Sequence, residues 1–290
     1  VKSEDIKQIT VIGAGQMGHQ IGMLCALGGF DTTIQDLEEK ALLKAEQSLQ
    51  AIMEKWVQKG KLSEDQKEAA FQRLSFTTSL EKASTNADFI IEAVVERLDV
   101  KQEVFKQVDH FAPSHTILAT NSSTIVNSLI ADVTNRAEKV VNMHFFFPPL
   151  VMDCVEVVMS EHTSEETAQV TMDICKQINR TAVLLKKEIS GFIANRILGA
   201  LQKEAVSLYE QGIADFKDID IICRKALNHP IGPFELMDLS GIDVGYYVMQ
   251  QRYNETGDSS DKPFACIVEK VEEGHLRSRM VQLSKRRSEK

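Results

Sequence analysis

The sequence predicts an α/β protein: a doubly wound, mostly parallel sheet with a protruding helical hairpin, followed by an all-helical C-terminal domain. Three observations lead there. Apolar strand-like runs alternate with amphipathic helical patterns over the first 189 residues. A glycine-punctuated strand–turn–helix opens the chain, with an acid closing the next strand. Beyond residue 189 only helical patterns continue. A chain of 290 residues is long enough for about two domains. The expected boundaries are 1–189 for the sheet domain and 190–276 for the helical domain. Residues 277–290 form a tail rich in Lys and Arg, with no packing pattern, that is expected to be disordered.

The first element is Gln8-Ile9-Thr10-Val11-Ile12, which runs into Gly13-Ala14-Gly15-Gln16-Met17-Gly18. Gly13 permits the sharp turn out of the strand. Gly15 lets the backbone approach a pyrophosphate, and Gly18 lets the following helix pack closely on the strand. The N–H groups and positive dipole end of that helix, at Gln16 and Met17, face the phosphates. Asp36 follows Gly18 by eighteen residues and closes a second strand, Asp31 to Gln35. Its carboxylate can accept both ribose hydroxyls and would repel a 2′-phosphate, so the expected cofactor is NAD and the fold Rossmann-type.

The remaining elements follow in order. The first helix runs from Met17 to Leu27 and ends at Gly28-Gly29. A long helix from about Leu37 to Gln58 is broken by Gly60, and Ser63-Glu64-Asp65-Gln66 reads as a capping box opening its partner. Ser75 to Thr78 is a short strand. Asp88 to Val94 is a nearly continuous apolar run, as a strand buried on both faces should be. A helix from about Asp99 to Phe111 leads to strands at Thr116–Thr120, Val140–His144 and Val155–Met159. Four helices then complete the chain, at 191–211, 217–227, 234–251 and 263–273.

Composition excludes several functions. A net charge of −9 argues against nucleic acid or an anionic membrane surface as the main partner. No apolar run is long enough to span a bilayer. Residues 1–5 do not read as a signal peptide; a removed initiator Met or targeting segment stays open. The five cysteines, Cys25, Cys154, Cys175, Cys223 and Cys266, are scattered without a C-x-x-C spacing. They read as buried thiols of a reducing compartment, with no metal site.

A nicotinamide oxidoreductase acting on an alcohol needs a base for the hydroxyl proton, and histidine suits that role. Of seven histidines, His144 stands apart. It ends a strand and enters Phe145-Phe146-Phe147-Pro148-Pro149, at the carboxyl edge of the sheet. Taken alone, a histidine there is more often a packed core residue. Glu156 alters the balance: it lies between valines in a strand that should be buried, and a buried carboxylate needs a partner. Were the two strands adjacent, Glu156 would fix the imidazole tautomer; otherwise it is an edge-strand acid facing water. Ser122-Ser123-Thr124 follows a strand at the same edge and could bond a substrate oxygen, but taken alone it reads better as an ST-turn or helix N-cap. Asn195, early in the first C-terminal helix, faces either the cleft or solvent.

At this point the chain resembles the L-3-hydroxyacyl-CoA dehydrogenase family, of the stand-alone 3-hydroxybutyryl-CoA dehydrogenase type. The motifs are the glycine turn; Glu92-Ala93-Val94-Val95-Glu96; Thr120-Asn121-Ser122-Ser123; His144-Phe145-Phe146; Val155-Glu156-Val157-Val158; Gly191-Phe192-Ile193-Ala194-Asn195-Arg196; and Pro230-Ile231-Gly232-Pro233-Phe234-Glu235-Leu236. The resemblance implies reversible, NAD-dependent oxidation of an L-3-hydroxyacyl-CoA to a 3-ketoacyl-CoA, in fatty-acid or butanoate metabolism. It implies His144 as base, Glu156 as its orienting partner, and Ser123 and Asn195 on the substrate oxygen. Asp36 would hold the adenosine ribose, with Glu96 and Lys101 along the cofactor. Lys59, matching a CoA-contacting position, and Lys55 one turn earlier would meet CoA. A homodimer through the helical domain is implied, with a cytoplasmic location, or a mitochondrial matrix one if a transit segment was removed. Two departures stand out. Phe147 replaces an Asn that the family commonly carries, and Gly274-His275-Leu276 runs into a basic tail where the family usually has Lys-Thr-Gly-x-Gly-Phe. The competing readings are a dehydrogenase of the same fold acting on carnitine or a sugar acid, and a non-catalytic NAD-binding protein.

Overall fold

The computed structural model describes residues 2–257 and 262–274. The chain divides into two compact units, one ending at Phe192 and the other starting at Ile193. In the first, eight strands form one sheet: β1 (Gln8–Ile12), β2 (Asp31–Gln35), β3 (Leu74–Thr77), β4 (Phe89–Glu92), β5 (Ile117–Thr120), β6 (Val140–Phe145), β7 (Cys154–Val158) and β8 (Thr181–Leu185). Their order is β3-β2-β1-β4-β5-β6-β7-β8. The first six are parallel, β7 runs antiparallel to β6, and β8 is parallel to β7. The chain winds outward from β1 in one direction and returns through β4 in the other. Such a reversal opens a crevice beyond the carboxyl ends of the central strands.

The central strands read as largely apolar runs because both their faces are covered. On one face Ile9, Val11, Phe89, Ile91, Val141 and Met143 share a core with α1 (Gly18–Leu27), α2 (Glu39–Gln58) and α7 (Glu165–Gln177). On the other, Ile12, Ile90, Leu118 and Val140 pack against Phe105 and Val108 of α5 (Leu98–Phe111). The alternation of neighbours such as Ile90 and Ile91 between the two cores follows from the two-residue period of a strand. α2 and α3 (Glu64–Gln72) form the hairpin, and its turn carries the expected capping box. The Gln66 N–H donates to Ser63 Oγ at 3.1 Å, and the Ser63 N–H to Gln66 Oε1 at 3.0 Å. Such a cap contributes about 1 kcal/mol.

Several elements differ from the sequence reading. β8 and α7 were not anticipated; the apolar run of β8 is short and framed by Arg180 and Lys186-Lys187, and Val183 and Leu184 are exposed at its edge position. Two short helices, α4 (Leu80–Ser84) and α6 (Asn127–Ala131), were also passed over. Of the run from Asp88 to Val94, only Phe89–Glu92 is strand.

The second unit holds α8 (Ala194–Glu210), α9 (Phe216–Lys225), α10 (Pro233–Ser240), α11 (Ile242–Thr256) and α12 (Ala265–Glu272). α8 starts later than the helix expected from 191, because Gly191 and Phe192 have positive φ of 78° and 47°. The helix expected over 234–251 is two, broken at Gly241, whose φ is 99°. The Pro230–Leu236 motif has a local explanation. Buried Asp220 caps α10, accepting the N–H groups of Phe234 at 2.9 Å and Glu235 at 3.0 Å. A Cβ on Gly232 would sit 2.3 Å from the Asp220 carboxyl carbon, so only glycine admits the cap. The expected disorder of the 277–290 tail lies outside the described residues. Cys25, Cys175 and Cys223 are buried, as expected, whereas Cys154 and Cys266 are only half-buried; all five are free thiols.

Candidate active site

The glycine turn leaves β1 at its carboxyl end. Gly13 has φ of 98°, and a Cβ there would lie 2.7 Å from the Ala93 carbonyl oxygen. A Cβ on Gly18 would lie 1.8 Å from the Gly13 carbonyl oxygen. Gly15, by contrast, faces open space. The N–H groups of Gly15, Gln16 and Met17 find no acceptor among the described residues. Three free donors beside an unobstructed backbone suit a pyrophosphate. Asp36 follows β2 at the same edge, where its carboxylate accepts the Ala14 N–H at 2.8 Å and the Glu38 N–H at 3.1 Å. It thereby braces the turn and stands beside it. His19, in the first turn of α1, is buried and bonds the Gly15 carbonyl through Nδ1 at 2.5 Å. Burial lowers its pKa, against the opposing effect of the Gly15 and Ala14 backbone bonds. It supports the turn as a neutral ring.

β6 brings a second set of groups to this edge. His144 lies directly opposite Glu156 in the β6–β7 register, and both are buried. His144 Nδ1 and Glu156 Oε2 are 2.9 Å apart. A carboxylate only accepts, so Nδ1 carries the hydrogen and Nε2 keeps its lone pair. The rings of Phe146 and Phe192 stand 4.7 and 5.4 Å from the imidazole, centroid to centroid. This arrangement can take a proton at Nε2 and hold the resulting imidazolium against a carboxylate.

Ser122, Ser123 and Thr124 follow β5. Their turn is tied to the histidine strand in two places. The Phe145 N–H donates to Asn121 Oδ1 at 2.9 Å, and Asn142 Nδ2 donates to the Ser122 carbonyl at 3.4 Å. Glu96, beyond β4, gathers the turn itself through Oε1, which accepts from Ser122 Oγ at 2.7 Å and from the N–H groups of Ser123 and Thr124, each at 2.9 Å. Burial would raise the Glu96 pKa, but the Lys101 ammonium and the bonds from Ser122 and Thr124 hold it at about 2. Among the described residues, no cluster of His, Cys, Asp and Glu could hold a metal ion.

Residues 8–189 match the model of the 3-hydroxyacyl-CoA dehydrogenase NAD binding domain, and residues 191–282 that of the 3-hydroxyacyl-CoA dehydrogenase C-terminal domain. The chain belongs to the 3-hydroxyacyl-CoA dehydrogenase family. It is 37% identical, over 94% of both chains, to a probable 3-hydroxybutyryl-CoA dehydrogenase of Bacillus subtilis. It is 36% identical to the mitochondrial hydroxyacyl-coenzyme A dehydrogenase of Sus scrofa, covering 84% of this chain and 79% of that one. Among solved structures, the (S)-3-hydroxybutyryl-CoA dehydrogenase of Ralstonia eutropha superposes with a TM-score of 0.88 at 33% identity, covering 94% and 95% of the two chains.

Against this 3-hydroxyacyl-CoA dehydrogenase background, the structure brings Gly13, Gly15, Gln16, Met17, Gly18 and Asp36 together, and likewise His144 with Glu156 and Ser123 with Glu96. Asn195 is exposed in the first turn of α8, in the other unit. Lys55 and Lys59 are exposed at the end of α2, one turn apart. Phe147 is an exposed aromatic, 53% accessible, three residues beyond His144. Lys101, expected along the cofactor with Glu96, is 1% exposed, with its ammonium between Glu92 and Glu96. The sequence reading gave no role to Glu92, Asn121 and Asn142. Glu92 had a signal, since it is an acid inside an apolar strand run, as Glu156 is.

Proposed function

We propose that the protein oxidises an L-3-hydroxyacyl-CoA to the 3-ketoacyl-CoA with NAD, reversibly, with a short-chain ester of the 3-hydroxybutyryl type as substrate. The observation that carries this reading is the buried His144–Glu156 pair at the sheet edge that also holds the glycine turn. Membership of the family supports it. When bound, NAD supplies the hydride acceptor. His144 Nε2 takes the hydroxyl proton as the substrate C–H bond gives up its hydride, and in the reverse direction returns it to the forming alkoxide. Glu156 keeps the proton on Nδ1 and stabilises the imidazolium. Ser123 and Asn195 hold the substrate oxygen. Gly13, Gly15, Gln16, Met17 and Gly18 cradle the pyrophosphate while Asp36 takes the ribose hydroxyls. Lys59 and Lys55 meet the CoA phosphates, and the second unit supplies a homodimer contact.

The test is NADH absorbance on mixing the protein with NAD and L-3-hydroxybutyryl-CoA, with L-carnitine in parallel. Signal with the CoA ester alone, nearly abolished by His144→Ala, is the expected result. Silence with the ester, signal only with carnitine, or intact turnover in the variant would overturn the proposal. No helix among the described residues is long and apolar enough to cross a membrane.

A further inference from the structure

A second cleft lies away from the His144 site. It opens at the far end of α1, where Leu24 and Leu27 meet Trp56 and Leu62 of the hairpin and Ile178, which follows α7. Its volume is about 350 Å³, within the range of small-molecule sites. Every lining residue belongs to the first unit, and none of Gly13, Asp36, Ser123, His144 or Glu156 is among them. α1 rises about 14 Å between the glycine turn and this end. Trp56 is the chain's one tryptophan and is half-buried in the wall of the cleft.

Two half-buried arginines form its polar side, Arg73 at the end of α3 and Arg180 just before β8. Arg180 donates to carbonyls alone: to Pro149 at 3.1 Å from Nη2 and 3.3 Å from Nε, to Leu150 at 3.2 Å and to Asn179 at 2.7 Å. Burial lowers its pKa; the charge of Asp153 opposes this without forming an ion pair, its carboxylate accepting from Thr181 Oγ1 at 3.0 Å. Arg73 Nη1 donates to the Ala69 carbonyl at 2.9 Å, and no carboxylate among the described residues pairs with it. Arg136 shows the contrast. It too donates to carbonyls, of Asp109 and Ala112, but the Asp109 carboxylate answers its charge at 2.6 Å. No Asp or Glu lines the cleft, and its two glutamines are engaged elsewhere: Gln66 in the Ser63 cap, and Gln177 with the Gly28 carbonyl at 3.0 Å. In a chain of net charge −9, two guanidiniums stand beside an apolar wall with N–H groups to spare and no counter-charge.

We propose that this cleft binds a small amphipathic carboxylate, its charged end held by Arg73 and Arg180 and its hydrocarbon body packed on Leu24, Leu27, Trp56, Leu62 and Ile178. A carboxylate is the anion that a guanidinium fork matches, and charge-assisted hydrogen bonds of this kind are the strong ones. The hydrocarbon is required as well. A bare anion would leave the apolar wall wet, and a neutral hydrocarbon would leave both arginines unanswered. Lys61, whose ammonium stands 5.9 Å from the Trp56 ring, adds a third cation beside the wall. Through the Pro149 and Leu150 carbonyls, Arg180 also ties the cleft to the loop that leaves β6 beyond His144. The site uses no group of the proposed reaction and does not depend on it.

Emission of the single tryptophan, measured on the full chain, reads binding at the cleft, and calorimetry repeats the titration without relying on it. The probes are octanoate, octanol and octylamine, below their aggregation concentrations; they share a hydrocarbon and differ in the head group. Octanoate should shift the Trp56 emission saturably, with octanol about tenfold weaker and octylamine weaker still. Arg73→Gln and Arg180→Gln should each weaken octanoate about tenfold and leave octanol within about twofold. Arg180 also holds loop carbonyls, so Arg73→Gln, which gives up one carbonyl bond, decides the matter if Arg180→Gln does not fold. Saturating NADH and acetoacetyl-CoA should move the octanoate midpoint less than about twofold, since the cleft shares no residue with the proposed reaction site. No saturable binding by either method, equal affinity for octanol and octanoate, wild-type affinity in the folded Arg73 variant, or displacement of octanoate by NADH or acetoacetyl-CoA would each overturn the inference.

Discussion

Glu156→Gln isolates what the carboxylate contributes to the histidine. The side chains are the same size, so the buried site keeps its packing, and a neutral amide leaves no unpaired charge behind. Two things are lost. The first is the charge. With Nδ1 and Oε2 at 2.9 Å, the charge centres of imidazolium and carboxylate lie about 4 Å apart. At an effective dielectric near 20 their attraction is about 4 kcal/mol. Part of it already acts on the neutral ring through its N–H dipole, so about 3 kcal/mol is specific to the protonated form. The second is the tautomer: the glutamine amide can donate to Nδ1, which moves the ring hydrogen to Nε2 and removes the base. Together these predict a fall in kcat of about 100- to 1000-fold. The assay is NADH production from L-3-hydroxybutyryl-CoA at saturating NAD, with NADH binding and thermal unfolding as controls. Unchanged binding and stability with the full kcat loss is the expected outcome. A kcat within about threefold of wild type, in a folded variant, would show that His144 is not the proton acceptor or that Glu156 does not serve it.

Asp36→Ala removes the acceptor of the Ala14 N–H together with the proposed ribose contact, so KM for NAD should rise about 10- to 100-fold with kcat nearly unchanged. A fall confined to kcat would contradict that placement. Gly18→Ala puts a Cβ 1.8 Å from a backbone oxygen that cannot move aside. Loss of NADH binding and a melting temperature roughly 5–10 °C lower are expected, from about 2–3 kcal/mol of strain; a stable, NAD-competent variant would contradict the reading of the turn. Lys59→Glu should lower kcat/KM for the CoA ester about three- to tenfold at low salt, less at high salt, with NAD kinetics unmoved. No change in salt dependence would remove Lys59 from the CoA contact.

The sheet was legible because its central strands are covered on both faces. Ile9 through Ile12, broken only by Thr10, and Phe89 through Ile91 show apolar runs, and length with glycine punctuation separates them from helix. β8 was not legible. It is an edge strand, so its apolar residues are partly exposed and its pattern does not differ from that of a loop bordered by lysines. The break at Gly241 was missed for another reason: an isolated glycine is tolerated in a helical pattern, and only its positive φ reveals the end. The glycine turn and the Ser63 box were readable because each is complete within a few residues of sequence, and Asp36 because it closes the strand that follows the turn at a fixed spacing. The Asp220 cap on α10 was not, since donor and acceptor are separated by a full helix-to-helix connection.

Two glutamates lie inside buried strand runs, Glu92 and Glu156, and each is bound to a basic side chain. Both strands end at or begin from the carboxyl edge of the parallel set. A carboxylate in such a run costs free energy that packing alone would not demand, because Val or Ile would fill the space without desolvating a charge. The arrangement is therefore better explained by what the acid holds than by stability. Glu156 holds a ring that can take up a proton. Glu92 holds the Lys101 ammonium, which also reaches Glu96. The sequence reading applied this logic to Glu156, where a histidine was at hand to complete it. It passed over Glu92, whose partner lies in the following helix. Lys101 itself, read from sequence, was a charge near the cofactor. Its burial between Glu92 and Glu96 depends on tertiary packing that no local spacing encodes.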